Sequence, residues 1–273
     1  MAGIELKGKV AVVTGASRGL GRQVAVELAA QGAAVALVAR GAAALEEVAA
    51  QLRRAGQQAL AVPADVTEVQ QVASLKTRVE AELGVPTILI NAAGIFGPIQ
   101  LIKDSEPAAW VQTLQINTVA PYLTCRALVG GMIARGWGRI LNFTSAAALH
   151  PPGPLNSAYG TSKVALNQFT RHLAAELEGS GVTANVMHPG DVKTEMWADI
   201  RDQAKAMGPE AEAYRQWVKW VEQTGGDDPA KAARRVLQLM GEGINGRFLW
   251  IEEPLQAPIP SWGEVEGQQP WKK

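Results

Sequence analysis

A tyrosine and a lysine stand four residues apart near the middle of the chain, in the segment Tyr159-Gly160-Thr161-Ser162-Lys163. The segment is predicted to be helical, and the spacing places both side chains on one helical face, about one turn apart. A phenol loses its proton at about pH 10, and a neighbouring ammonium group lowers that pKa. The pair is therefore a candidate proton donor and acceptor. A surface tyrosine beside a solvated lysine is the alternative if no other motif supports the pair.

A glycine-rich turn near the amino terminus supplies that support. The apolar run Lys9–Val13 predicts a buried parallel strand, Thr14–Gly21 follows with its glycines spaced G-x-x-x-G-x-G, and a helical pattern then runs to Gly32. A strand, a glycine turn and a helix present N-terminal amides to a phosphate group, and glycine lets the backbone approach it closely. Glycines needed only for a tight turn are the weaker interpretation, because a strand and a helix flank them.

The elements that must position these motifs alternate along the whole chain. Alternation of strands and helices predicts right-handed crossovers and one parallel sheet. The expected fold class is α/β, a single-domain Rossmann-like doubly wound parallel sheet of about seven strands with helices on both faces. Residues 1–253 form the expected dinucleotide-binding and catalytic domain, with a lid at about 195–226, and residues 254–273 form a tail. The predicted strands are Val10–Thr14, Ala34–Ala39, Ala59–Pro63, Thr87–Asn91, Arg139–Phe143, Thr183–His188 and Arg247–Ile251, and the predicted long helices include Pro107–Ala134 and Ala158–Glu178.

Taken together, the motifs resemble the short-chain dehydrogenase/reductase family, from about Lys7 to about Ile251. Asn91-Ala92-Ala93-Gly94 matches the family's Asn-Asn-Ala-Gly segment with its second Asn replaced, and Pro189-Gly190 matches the family's Pro-Gly turn. The resemblance implies a catalytic set of Asn117, Ser145, Tyr159 and Lys163. It also implies that the cofactor contacts Gly15, Ser17, Arg18, Gly19, Leu20, Gly21, Arg40, Asp65, Val66, Asn91, Ala92, Gly94, Tyr159, Lys163, Pro189, Gly190, Val192 and Thr194.

The family's chemistry gives each catalytic residue an expected role. Tyr159 donates a proton to a carbonyl oxygen that receives a hydride at its carbon, or takes the proton in the reverse direction. Lys163 lowers the pKa of Tyr159 and binds ribose hydroxyls. Ser145 donates a hydrogen bond to the substrate oxygen. Asn117 holds a water that links Lys163 to solvent.

The end of the second predicted strand bears on the choice of cofactor. An NAD enzyme usually has an acidic residue there, which binds the ribose hydroxyls and repels a 2′-phosphate. Here the strand ends in Ala39, and Arg40 follows, while Arg18 lies inside the glycine turn. Two guanidinium groups can bind a phosphate, so NADP(H) is the expected cofactor. Two solvated surface arginines are the alternative.

The predicted lid bears on the substrate. Met196 and Trp197 follow Thr194 directly, and they suit an adaptable apolar pocket. We expect a mostly apolar ketone or secondary alcohol that contacts Ser145, Leu149, Tyr159 and Trp197. A 3-oxoacyl thioester is an alternative substrate class, and a catalytically silent NADPH-binding regulator of the same fold is an alternative function.

Composition excludes several other classes. The 273 residues include 26 Lys+Arg and 26 Asp+Glu, so no basic excess indicates a nucleic acid or membrane partner. The single cysteine, Cys125, cannot form an intrachain disulfide, which favours the cytoplasm. His150, His172 and His188 lack metal-ligand spacing, so no metal is expected. The resemblance implies a homodimer or homotetramer built on the helices at Pro107–Ala134 and Ala158–Glu178.

Overall fold

The computed structural model describes residues 5–149, 153–241 and 243–251, and these form a parallel sheet of seven strands in the order β3-β2-β1-β4-β5-β6-β7. The order reverses between β1 and β4, as it does in doubly wound sheets that bind ligands at this point. Nearly all strand residues are buried, which explains their continuous apolar runs. The strands are β1 Val10–Thr14, β2 Ala34–Ala39, β3 Ala59–Pro63, β4 Ile88–Asn91, β5 Gly138–Phe143, β6 Val182–His188 and β7 Phe248–Trp250.

Helices cover both faces of the sheet, so the predicted fold class is confirmed. One core cluster joins alternate strand residues such as Val13 to the helices on one face of the sheet, and the other joins Val12 and its neighbours to the helices on the opposite face. No helix of the described residues is long and apolar enough to cross a membrane. The helices are α1 Gly19–Ala30, α2 Ala42–Arg54, α3 Val69–Glu82, α4 Pro107–Leu114, α5 Ala120–Ala134, α6 Ser157–Glu176, α7 Glu195–Ala206, α8 Glu212–Thr224 and α9 Pro229–Gly241.

The predicted helix Pro107–Ala134 differs from the structure, where the π-helical segment Gln115–Val119 separates α4 from α5. The backbone N–H of Ala120 donates to the Gln115 carbonyl, five residues back. Pro121 has no N–H, so the ordinary α-helical bond to the Asn117 carbonyl cannot form. Such π segments occur often at functional sites.

Side chains join the strand ends at the point where the order reverses. The Thr14 hydroxyl at the end of β1 accepts hydrogen bonds from the backbone N–H groups of Ala92 and Ala93, both at 3.2 Å. The segment after β4 is therefore held against the glycine turn after β1. This contact brings together the two parts of the chain that the sequence assigns to the cofactor.

Candidate active site

A cavity of about 690 Å³ lies at the carboxyl edge of the sheet, between the strand ends and the helices α7 and α8. Its wall is formed by the glycine turn, the end of β2, α6 and the first residues of α7. The structure places most of the predicted site residues on its wall: Gly15, Ser17, Arg18, Gly19, Leu20, Gly21, Arg40, Asp65, Val66, Ala92, Gly94, Ser145, Tyr159, Lys163, Pro189, Gly190, Val192, Thr194 and Trp197.

The glycine turn has the geometry of a phosphate cradle. Gly15 and Gly19 have φ of 67° and 56°, which favours glycine. A Cβ atom on Gly15 would lie 2.8 Å from the backbone nitrogen of Ala93, so a larger residue would separate the two segments. Helix α1 begins at Gly19 with no side chain capping its first turn. Its first amides are therefore available to an anion, and the turn fits a dinucleotide diphosphate.

The part of the cavity wall near the end of β2 combines the carboxylate of Asp65 with the exposed guanidinium groups of Arg18 and Arg40. The Asp65 carboxylate accepts hydrogen bonds from the Thr67 N–H at 2.9 Å and the Thr67 hydroxyl at 2.7 Å. These bonds, with the charge of Arg40, lower the pKa of Asp65. Arg18 and Arg40 are exposed, and neither makes an ion pair with a described residue. Both guanidinium groups are therefore open to an added phosphate.

Tyr159 and Lys163 are both buried on α6, and both face the cavity. Lys163 Nζ donates a hydrogen bond to the Phe143 carbonyl at 2.8 Å and lies 5.6 Å from the centre of the Tyr159 ring. Burial raises the pKa of Tyr159 to about 12; the Ser145 hydroxyl, which hydrogen-bonds the phenol, opposes this, and the charge of Asp191 adds to it. Burial also lowers the pKa of Lys163 to about 8.

These pKa values correct one expectation. The sequence predicts that Lys163 lowers the pKa of Tyr159, but in this structure burial of the phenol raises that pKa, and the group that opposes the rise is the Ser145 hydroxyl. The Lys163 ammonium is itself destabilised by burial, and the hydrogen bond that it donates to the Phe143 carbonyl does not offset that cost. The phenol is therefore fully protonated at neutral pH, ready to donate rather than to accept a proton.

Ser145 lies two residues beyond β5 and begins a short 3₁₀ turn. Its hydroxyl oxygen accepts a hydrogen bond from the Ala147 N–H at 3.2 Å. The backbone N–H thus fixes the oxygen, while the hydroxyl hydrogen can point to an acceptor. Since Ser145 also reaches the Tyr159 phenol, both groups can contact one substrate oxygen.

Three predicted site residues do not line the cavity. Asn91 is buried, and its amide donates to Asn142 at 2.8 Å and accepts from Thr124 at 2.8 Å, so it joins β4 to β5 and α5. The Asn117 side chain is also buried and exchanges two hydrogen bonds with the backbone of Ile95, at 2.8 and 2.9 Å. Leu149 is half-buried at the end of the 3₁₀ turn, outside the cavity wall. His150 and the tail 254–273 lie outside the described residues.

Apolar side chains of the segment 195–226 close the cavity above Tyr159. Trp197 is 5 % exposed, and its ring lies 5.0 Å from Lys193 Nζ and 5.3 Å from the Arg201 guanidinium. Gln203 of α7 holds the loop after β4, accepting from the Ile99 N–H at 3.0 Å and donating to the Gly97 carbonyl at 3.1 Å. The segment therefore contacts the rest of the site through specific hydrogen bonds as well as apolar packing.

Several cavity residues are not predicted from the sequence, and two of them, Phe96 and Asp191, lie near the Tyr159 phenol or ring. Phe96 stacks on the Tyr159 ring, with centroids 4.5 Å apart, and meets Tyr214 of α8 edge-on at 5.9 Å. Asp191, inside the Pro-Gly turn segment, also lines the cavity. The sequence features that could have indicated them are their positions: Phe96 lies two residues after Gly94, and Asp191 directly follows Gly190.

Known proteins match this chain over most of its length. A family model for the short chain dehydrogenases matches residues 9–205. A short chain dehydrogenase of Pseudocercospora fijiensis is 36 % identical over 267 residues, which cover 96 % of this chain and 86 % of the relative. A galactitol 2-dehydrogenase (L-tagatose-forming) of Cereibacter sphaeroides is 34 % identical, with 90 % and 94 % of the two chains covered.

A solved structure shows the same architecture with a cofactor. A single-residue variant of the actinorhodin polyketide ketoreductase, crystallised with NADPH, superposes with a TM-score of 0.80 at 28 % identity, covering 91 % of this chain and 95 % of the other. These proteins resemble this chain in sequence, fold and length.

Proposed function

Since this chain belongs to the short-chain dehydrogenase/reductase family and is an oxidoreductase acting on alcohol and carbonyl groups, we propose that it interconverts a ketone and a secondary alcohol with NADP(H). The observation that carries the proposal is the convergence of Ser145, Tyr159 and Lys163 on one cavity with the glycine turn. A reduced nicotinamide, when bound, supplies a hydride to the carbonyl carbon. The protein must then stabilise and protonate the oxygen.

Tyr159 is the proton donor in the proposed reduction. Its pKa of about 12 keeps the phenol protonated at neutral pH, so every substrate molecule meets a donor. Ser145 donates a second hydrogen bond to the same oxygen, where negative charge develops. As the phenol loses its proton, the Lys163 ammonium stabilises the phenolate across the 5.6 Å to its ring.

Asn117 is proposed to support this proton transfer from a distance. Its side chain holds Ile95 and donates to the Ser162 hydroxyl at 3.0 Å, and Ser162 in turn donates to the Tyr159 carbonyl at 2.7 Å. Asn117 thereby joins the loop at Gly94 to the helix that carries both catalytic side chains. The water that the family resemblance assigns to Asn117 stays a prediction.

NADP(H) is favoured over NAD(H) by the charges at the end of β2. Ala39 offers no carboxylate to bind a free 2′-hydroxyl or to repel a phosphate there. Arg40 lies next to the cavity, and Arg18 lies at the start of α1 on the same wall. Their two guanidinium groups can bind a 2′-phosphate, in bidentate fashion where geometry allows.

The proposed substrate has an apolar body. Phe96, Trp197 and Ile200 are buried in a cluster above Tyr159, and Met196 and Trp217 pack against it from the lid at 195–226. We assign residues 1–253 to one catalytic domain in which this lid closes over the substrate. The tail at 254–273 is assigned no role.

A homodimer or homotetramer is proposed on the outer surfaces of α4, α5 and α6. These helices and the π segment between them expose large apolar side chains, which are rarely left to water in a continuous patch. The side chains, each 42–49 % exposed, are Val111, Val119, Tyr122, Ile133 and Val164. Cytoplasmic location stays a prediction from the single buried cysteine.

The test combines NADPH binding with turnover. Fluorescence titration measures NADPH affinity, and NADPH oxidation is followed with a panel of ketones. Tyr159→Phe should lower kcat by roughly 100- to 10,000-fold and change the NADPH Kd by less than about threefold, because the ring is retained and only the proton donor is lost. Tyr122→Phe, a matched change on the surface of α5, should match the wild type. Binding of NADPH without oxidation by any ketone would support the silent regulator instead.

A further inference from the structure

Asp191 is a charged residue in the active-site cavity that the proposed reaction does not use. It lies in the turn after β6, between Gly190 and Val192, and all three residues line the cavity. Its side chain is close enough to Tyr159 for its negative charge to raise the pKa of the phenol. A carboxylate at this position opposes the charge that develops on a reduced carbonyl oxygen, so the chemical step gives no reason for its presence.

The backbone at Asp191 is fixed on both sides. Its N–H donates to the Asp227 carboxylate at 2.7 Å, and its carbonyl accepts from the Asp227 N–H at 3.1 Å. Val192 forms a β-bridge with Gly226. Gly190 has φ of 88°, and a Cβ there would lie 2.5 Å from the Asp227 carboxylate. The Asp191 carboxylate is therefore presented to the cavity from a rigid turn.

The Asp191 carboxylate makes no hydrogen bond or ion pair with any residue that the structure describes. Two lysines of the site have other partners: Lys163 Nζ donates to the Phe143 carbonyl, and Lys193 Nζ lies over the Trp197 ring. The Asp191 side chain is half-buried and borders the cavity, so its oxygens can accept a hydrogen bond from a donor group on a ligand bound there.

We propose that Asp191 binds a hydrogen-bond donor, a hydroxyl or ammonium group, that the substrate carries close to its carbonyl. The inference rests on the proposed function and narrows it to hydroxyketones or aminoketones and the corresponding alcohols. The carboxylate accepts the donor on one side of the substrate, while Ser145 and Tyr159 donate to the carbonyl oxygen. A ketone with a carboxylate in that place is rejected by like charge.

The experiment compares substrates that differ in one group. The full chain with NADPH is assayed on 1-hydroxy-2-pentanone, on 3-hexanone, in which a methyl group replaces the hydroxyl, and on 1-dimethylamino-2-pentanone. The wild type should prefer 1-hydroxy-2-pentanone to 3-hexanone by at least tenfold in kcat/KM, because a hydrogen bond to a charged group discriminates by about this factor or more. Asp191→Ala should reduce that ratio at least tenfold, and Asp104→Ala, a change at an exposed carboxylate outside the cavity, should leave it unchanged.

The variants also identify the donor. Asp191→Asn retains an acceptor without charge, so it should keep part of the preference for a hydroxyl and lose any preference for an ammonium group. A wild type that prefers 3-hexanone, or an Asp191→Ala ratio within twofold of the wild type, would overturn the inference while leaving ketone reduction intact. An equal loss on all ketones with weaker NADPH binding would also overturn it, since the donor would then be on the cofactor. Absence of turnover on every ketone would instead contradict the proposed function.

Discussion

Lys163→Met should change how stability depends on pH, because Lys163 is buried as a cation. Its pKa is about 8 in the folded chain and 10.5 in its unperturbed state. Between these values the unfolded chain binds a proton at Lys163 and the folded chain does not, so stability rises with pH in this window. The penalty of burying the charge is present below pH 8 and is relieved as pH rises. From the two pKa values, the wild type should gain roughly 2–3 kcal/mol of unfolding free energy relative to the variant between pH 7 and pH 10.

Urea unfolding without added cofactor measures this difference, at pH 7, 8, 9 and 10 for both proteins. Other titrating groups are common to both chains and cancel in the comparison. The Tyr159 phenol, with a pKa of about 12, stays protonated in the folded chain across this pH range. Lys76→Met serves as the matched control, because Lys76 is a partly exposed residue in a weak surface pair with Glu80. If the difference in unfolding free energy between the wild type and Lys163→Met does not change across this pH range, the claim that burial lowers the pKa of Lys163 is refuted.

Three further outcomes are expected. Ala39→Asp combined with Arg40→Ala should lower the NADP/NAD ratio of kcat/KM by roughly 10- to 100-fold, from the loss of a charge-assisted bond and added repulsion; an unchanged ratio would contradict the cofactor assignment. Trp197→Ala should raise KM for apolar ketones about tenfold, and unaltered constants for every accepted ketone would exclude Trp197 from the pocket. Light scattering at micromolar concentration should show a dimer or tetramer, and a monomer would disprove the assembly.

The sheet was predictable from sequence because parallel strands covered on both faces are short, continuous apolar runs. The observed bounds of β4 to β7 differ from the predicted ones by one residue at one or both ends. The break between α4 and α5 was not predicted, because the apolar pattern continues through the π segment and only Pro121 marks it. Hydrophobic periodicity indicates that a helix is present, but it does not indicate which hydrogen-bonding pattern the helix has.

The sequence predicted which residues of the candidate site lie together, but it did not predict their pKa values. Motif order placed Ser145, Tyr159 and Lys163 together, since they follow strand ends at one edge of the sheet. The pKa of Tyr159 depends on how deeply the phenol is buried, which no spacing reports, and burial comes partly from Phe96. Asp191 illustrates the same limit, because its importance lies in the absence of a partner among the described residues.

The order of the strands also constrains how the chain folds. Ala11 of β1 pairs with Ile88 of β4, and β4 pairs with β5, so the central strands join residues that are far apart in sequence. Folding slows when contacts join residues far apart in sequence. The glycine turn comes from the first tenth of the chain and Tyr159 from beyond its midpoint. We therefore expect NADPH binding to return only in the slowest phase of refolding. The fluorescence of bound NADPH would then report when the last strands that are distant in sequence have paired.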